Sequence, residues 1–164
     1  LGICLGFQMA VIEFARNICG LDNANSTEIN AKTPHPVIDI LPEQKKIEAL
    51  GGNMRLGGYD IEIKPDTLAF KMFGGKSARM RFRHRYEVCP EYIEQLEKGG
   101  LVFSGKAPGR PIMQILELPK HPYFVATQAH PCLTSRPLHP QQMFLGLVAA
   151  AMGERNISTV FDKP

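Results

Sequence analysis

Gly2-Ile3-Cys4-Leu5-Gly6-Phe7-Gln8 stands directly before a helical pattern, and its reading decides the fold. Over residues 8–19, Val11, Phe14, Ala15, Ile18 and Cys19 recur at helical spacing, and Gly20 stops the pattern. With a strand ending near Ile3, Cys4 falls on a tight strand-to-helix turn. The thiol then projects from the carboxyl end of a sheet. The positive end of the following helix lowers its pKa. The backbone N–H of Leu5 faces a developing oxyanion. Small residues at Gly2 and Gly6 let the backbone approach closely, as in the Gly-x-Ser-x-Gly elbow. The competing reading is a buried structural cysteine before an ordinary helix.

A partner for this thiol lies far along the chain, in Gln128-Ala129-His130-Pro131-Cys132. The apolar run Tyr123–Thr127 reads as a buried strand, so His130 follows a strand end. In an open α/β sheet, neighbouring strand ends share a crevice, which brings His130 within reach of Cys4. Cys132 stands where an acid would orient the imidazole. Cys4, His130 and Cys132 are also ligand types for zinc, and two cysteines can form a disulfide where geometry allows.

The rest of the chain alternates elements. Residues 21–36 read as a loop, Val37–Leu41 as a strand, and Pro42–Leu50 as a loop or surface helix before a Gly51-Gly52 turn. Met54–Ile63 reads as a strand. Thr67–Phe73 reads as a short helix ended by Gly74-Gly75. Arg79–Val88 alternates as one strand, and Pro90–Lys98 is a helix with Cys89 at its N-cap, a poor acceptor there. Leu101–Ser104 and Ile112–Leu118 are strands about a Pro108-Gly109 turn. Pro140–Met152 is a helix presenting Phe144, Leu147, Val148 and Ala151 on one side. This order predicts an α/β three-layer sandwich around a mixed, partly parallel sheet. Residues 1–152 form the domain and 153–164 a loose tail.

The 164 residues suffice for one domain, and 44% hydrophobic with 21% charged residues is an ordinary globular balance. No apolar run or leader pattern points to a membrane, and the expected location is the cytoplasm with free thiols. A net charge of +3 spread among acids gives no nucleic-acid footprint. The one dense cluster, Arg79, Arg81, Arg83, His84 and Arg85, is either a solvated strand end or an anion site. No Cys-x-x-Cys pair is present, and no metal is expected.

The nucleophile segment resembles that of class I (triad-type) glutamine amidotransferases. Asn23-Ala24-Asn25-Ser26-Thr27-Glu28, Gly51-Gly52-Asn53-Met54-Arg55-Leu56-Gly57, Arg83-His84-Arg85-Tyr86-Glu87-Val88 and Ser135-Arg136-Pro137 narrow the resemblance to the C-terminal glutaminase domains of the CTP synthases. The resemblance runs from Leu1 to about Met152. It implies that Cys4 attacks the carboxamide of L-glutamine and that His130 moves the protons. Leu5, Gly6, Phe7, Gln8, Glu28 and Arg85 match substrate-holding positions, with Leu5 contributing its N–H to the oxyanion hole. Arg85 suits the α-carboxylate and Glu28 the α-ammonium. The ammonia would feed a synthase domain, absent from this segment, that binds UTP and ATP with magnesium and makes CTP, in a homo-oligomeric parent.

The family pattern at the histidine is Phe-His-Pro-Glu, whereas this chain reads Ala129-His130-Pro131-Cys132. Cys89 stands for a usual asparagine and Phe82 for a usual histidine. The family's strands before the nucleophile, with their glycine-rich oxyanion loop, are absent here. The sheet is therefore expected to be incomplete on its N-terminal side, and the isolated chain unstable or inactive as a glutaminase. The alternative is a degenerate, non-catalytic domain that binds glutamine or a partner.

Overall fold

A computed structural model describes residues 1–40, 54–154 and 160–161. In chain order its strands are β1 (Gly2–Ile3), β2 (Asn25–Ser26), β3 (Pro36–Asp39), β4 (Arg55–Ile63), β5 (Ser77–His84), β6 (Glu87–Val88), β7 (Val102–Lys106), β8 (Met113–Glu117) and β9 (Val125–Thr127). Its helices are α1 (Leu5–Asn17), α2 (Leu68–Phe73), α3 (Pro90–Lys98) and α4 (Gln142–Ala151). The expectations at Pro42–Leu50 and Gly51-Gly52 lie outside the described residues, as does most of the tail.

The chain is an α/β three-layer sandwich around a mixed, partly parallel sheet. Six strands lie in the order β1-β9-β8-β7-β4-β5. Among the described residues of this sheet, only β1 and β9 pair in parallel; the other neighbours are antiparallel. A smaller sheet has the order β2-β3-β6. Alternation along the strands divides the apolar side chains between two layers. Leu116 and Ala126 join Phe7, Val11, Phe14 and Ala15 of α1 and Leu96 of α3. Ile115 and Val125 face the other way, toward Ala69 and Met72 of α2 and Met143 and Ala149 of α4.

Three local expectations are corrected. The run Arg79–Val88 is not one strand. It breaks at Arg85-Tyr86, where the chain leaves the large sheet and β6 pairs with β3 instead. The segment 21–36 contains β2, which runs parallel to β3. The buried side of α4 is Met143, Gly146 and Ala149, while Leu147 and Val148 are exposed. Gly146 faces the sheet because the Tyr123 ring lies 2.5 Å from where its Cβ would be. That close approach decides which stripe is inward, and apolar periodicity alone could not reveal it. On α1, Val11, Phe14 and Ala15 are buried as expected, whereas Ile18 at the C-cap is exposed.

Short-range signals position α2. The Thr67 hydroxyl accepts the Phe70 N–H at 3.1 Å, and Gly74 closes the helix at φ 69°. Across the sheet, the buried carboxylate of Glu117 accepts the N–H groups of Leu68 at 2.9 Å and Ala69 at 3.1 Å. These donors have no partner inside the helix. Glu117→Ala is expected to lower stability by about 2–4 kcal/mol, because it buries two unmet donors and leaves a void. Glu117→Gln retains one acceptor and should cost less. Denaturant unfolding of the two variants checks that ordering.

Candidate active site

Cys4 sits between β1 and α1 with φ 52° and ψ −103°. A positive φ at a non-glycine residue is strained and persists only where its surroundings impose it. Here the Cys4 N–H donates to the Thr127 carbonyl of β9 at 2.8 Å, and the Cys4 carbonyl accepts from Phe7 and Gln8 as α1 begins. Gly2 lets the strands close: a Cβ there would lie 2.8 Å from both the Ala126 Cβ and the Gly6 carbonyl oxygen. Gly6 has no such role, since a Cβ at that position meets nothing within 4 Å. Of the two small residues flanking the cysteine, one is required by packing among the described residues.

The helix terminus does not leave the thiol acidic. Burial pushes Cys4 above its ordinary value, and the Glu28 carboxylate adds to the rise. Hydrogen bonds from the Leu5 backbone N–H and the Gln128 side chain oppose it without cancelling it. The expected lowering is therefore corrected, because desolvation outweighs the helix end. A thiol held up in this way needs a base to remove its proton.

Cys4, Leu5, Gln8, Glu28 and Arg85 line one cleft of about 420 Å³, joined by Met54, Arg83, His84 and Tyr86. Glu28 follows β2 on a pinned turn. Its N–H donates to the Ser26 hydroxyl at 3.2 Å, and Asn30 N–H to the Ser26 carbonyl at 2.9 Å. The neighbouring Thr27 hydroxyl bonds Asp39 at 2.5 Å. Arg85 lies at the break between β5 and β6, delivered by the β4–β5 hairpin. The arginine cluster thus divides. Arg83 and Arg85 reach the cleft, and Arg79 pairs with Asp60 at 2.9 Å on the surface. Phe7 is fully buried in the core and Gly6 lies outside the cleft lining, so neither residue faces that space.

His130 follows β9, the parallel neighbour of β1, so Cys4 and His130 emerge from adjacent strand ends. The His130 backbone N–H donates to the Arg81 carbonyl at 2.8 Å. Its Nε2 is buried and has no hydrogen-bond partner among the described residues. Cys132 is exposed on the 3₁₀ turn Pro131–Leu133 and supplies no acceptor to that nitrogen. Among the described residues, no group of three His, Cys, Asp or Glu side chains is disposed to hold a metal ion, and no disulfide joins the four cysteines. The Cys4–His130–Cys132 zinc set therefore does not assemble.

Sequence reasoning missed Gln128. It is fully buried, its amide nitrogen lies 3.7 Å from the Cys4 sulfur, and its oxygen accepts from Gln8 at 3.2 Å. The available signal was its place just past the end of β9, beside the residue that anchors Cys4.

This strained cysteine, on a strand-to-helix turn over a cleft holding a carboxylate and a guanidinium, defines a thiol-nucleophile site of the amidotransferase kind. The chain belongs to the class-I glutamine amidotransferases, whose family model matches residues 1–150. Within that family it is homologous to the glutaminase domains of CTP synthases. It is 57% identical over 155 residues to the CTP synthase of Archaeoglobus fulgidus, covering 94% of this chain and 29% of that protein. Identity to the Methanocaldococcus jannaschii CTP synthase is 56% over 155 residues, with the same shares covered. A solved glutaminase domain of Trypanosoma brucei CTPS, with bound acivicin, matches at TM-score 0.87 and 35% identity, covering 93% of this chain and 60% of that one. The chain spans under a third of the length of these curated relatives.

Proposed function

We propose that this chain is the glutaminase part of a CTP synthase, hydrolysing L-glutamine through a Cys4 thioester. The observation that carries the reading is the strained Cys4 at the head of α1, sharing one cleft with Glu28 and Arg85. Arg85 pairs with the α-carboxylate of glutamine and Glu28 with its α-ammonium, setting the side-chain amide over the sulfur. His130 takes the thiol proton as Sγ attacks the carboxamide carbon. The Leu5 N–H receives the developing oxyanion. Collapse breaks the C–N bond, and the imidazolium returns its proton to the departing ammonia. Water, deprotonated by His130, then attacks the thioester and releases glutamate, and the thiolate recovers a proton.

Ammonia would pass to a synthase domain that aminates UTP to CTP with ATP and magnesium. No described cluster of this chain suits a metal. The family resemblance supports this wider reading, including a homo-oligomeric parent in the cytoplasm. Ammonia release from glutamine by the protein in its full encoded length tests the reading.

Glu28 gives a sharper check, because its two roles predict opposite signs. Its charge raises the thiol pKa, so Glu28→Gln should increase Cys4 alkylation by neutral iodoacetamide a few-fold at pH 7. The same change should raise the glutamine KM by about tenfold or more, through the lost ion pair. Equal effects on both reactions would contradict the assignment.

A second reading has its own observation. With Cys132 exposed and His130 Nε2 unpartnered, the imidazole has no orienting acid among the described residues, as in a binding domain that has lost catalysis. Glutamine binding without ammonia release by the full-length protein would favour it.

A further inference from the structure

Buried amides form a directed relay that ends on the nucleophile. The Tyr86 carbonyl accepts a hydrogen bond from Gln8 Nε2 at 3.2 Å, and the same nitrogen donates to Gln128 Oε1 at 3.2 Å. A backbone carbonyl accepts and never donates, so it fixes which way round the Gln8 amide lies. Gln8 must then offer its N–H groups to Gln128, which must answer with its oxygen. Gln128 is left with its own Nε2 toward Cys4, 3.7 Å from the sulfur. Gln8 and Gln128 are both almost completely buried, so water does not compete for these groups.

We infer that Gln128 is a positioning residue for the nucleophile, holding a donor N–H on the Cys4 sulfur in an orientation set by Gln8 and Tyr86. The inference rests on the reading of Cys4 as the nucleophile. The sulfur has two partners of opposite character. As a thiol it points its proton toward the Arg83 carbonyl at 3.9 Å, and as a thiolate it accepts from Gln128. A donor favours the ionised form and helps offset the burial of the site. Because β9 also supplies the carbonyl that anchors the Cys4 backbone, one strand end fixes both the place and the charge of the sulfur. Gln128 lies behind the residues that line the cleft and acts through Cys4.

The test uses the protein in its full encoded length and iodoacetamide, a neutral electrophile that needs no glutamine site. Alkylation at Cys4 is followed by peptide mass spectrometry against pH. Gln128→Met keeps the volume and removes the donor. The midpoint is expected to rise by about one unit, with labelling about tenfold slower at pH 7 and the alkaline plateau unchanged. Gln128→Glu retains an acceptor for Gln8 and removes the donor differently; its midpoint should rise at least as far. Wild-type midpoints in both variants would overturn the inference, as would a loss of rate equal at every pH. If midpoints shift while no form of the protein releases ammonia, the glutaminase reading falls and the relay stands. If ammonia is released while the midpoints do not move, the relay falls and the glutaminase reading stands.

Discussion

Cys4→Ala should abolish ammonia release from glutamine, lowering kcat by at least about 10⁴-fold, while the fold persists. The scale follows from nucleophile removal in triad enzymes, where what remains comes from binding and oxyanion contacts. Alanine deletes only the sulfur, and the Cys4 backbone is held by the Thr127 carbonyl rather than by the thiol. Glutamine binding should therefore survive, because Glu28 and Arg85 still line the cleft. Calorimetry of glutamine binding beside an ammonia assay separates the two effects. Substantial hydrolysis by the alanine variant would remove Cys4 from the chemistry. Loss of binding together with hydrolysis would make it a structural residue.

Cys132→Glu should raise kcat by about 10- to 10³-fold, the reverse of losing a triad acid. His130 Nε2 is buried without a partner among the described residues, and an unmet buried nitrogen costs free energy that a carboxylate can recover. A glutamate two residues along the same turn restores the family pattern and can hold one imidazole tautomer. Cys132 is exposed, so the longer side chain meets little packing resistance at its root. Cys132→Gln, which offers only a neutral acceptor, should gain much less. Unchanged kcat in the glutamate variant would mean that another group orients His130, or that His130 does not carry the proton.

Much of the architecture was legible because its signals are local. Thr67 and Gly74 bracket α2, Pro90 opens α3, and the Pro108-Gly109 turn joins β7 to β8, where Ala107 N–H meets the Ile112 carbonyl at 2.9 Å. The elbow was legible from Gly2 and Cys4 because a parallel neighbour demands close approach at the first and a turn at the second. What escaped depended on contacts distant in sequence. The Arg79–Val88 alternation continues unbroken, yet Arg85 leaves the sheet because β6 finds β3 across the fold. The α4 stripe was misjudged because the Tyr123 ring needs the space beside Gly146. The sign of the Cys4 shift depended on how deeply the sulfur is buried and on Glu28, neither of which is visible in the motif. Gln128 was hidden for the same reason, since its partners Gln8 and Tyr86 come from other elements.

The candidate site was legible in its residues rather than in its completeness. Cys4, Gln8, Glu28 and Arg85 come from the β1–α1 junction, α1, the turn after β2 and the break after β5, and they meet in one cleft. His130 reaches the neighbouring strand end by the parallel pairing that the elbow implied. Cys132 stands at the acid position in sequence, and among the described residues no acceptor meets His130 Nε2 in space.

The most direct measurement is the reaction of the full-length protein with an electrophilic glutamine analogue, mapped peptide by peptide. The expected result is a single adduct on Cys4, suppressed by excess L-glutamine and much less by D-glutamine. An unmodified Cys4, or labelling of Cys132 or Cys19 that L-glutamine does not suppress, would contradict the assignment of Cys4 as the glutamine-directed nucleophile.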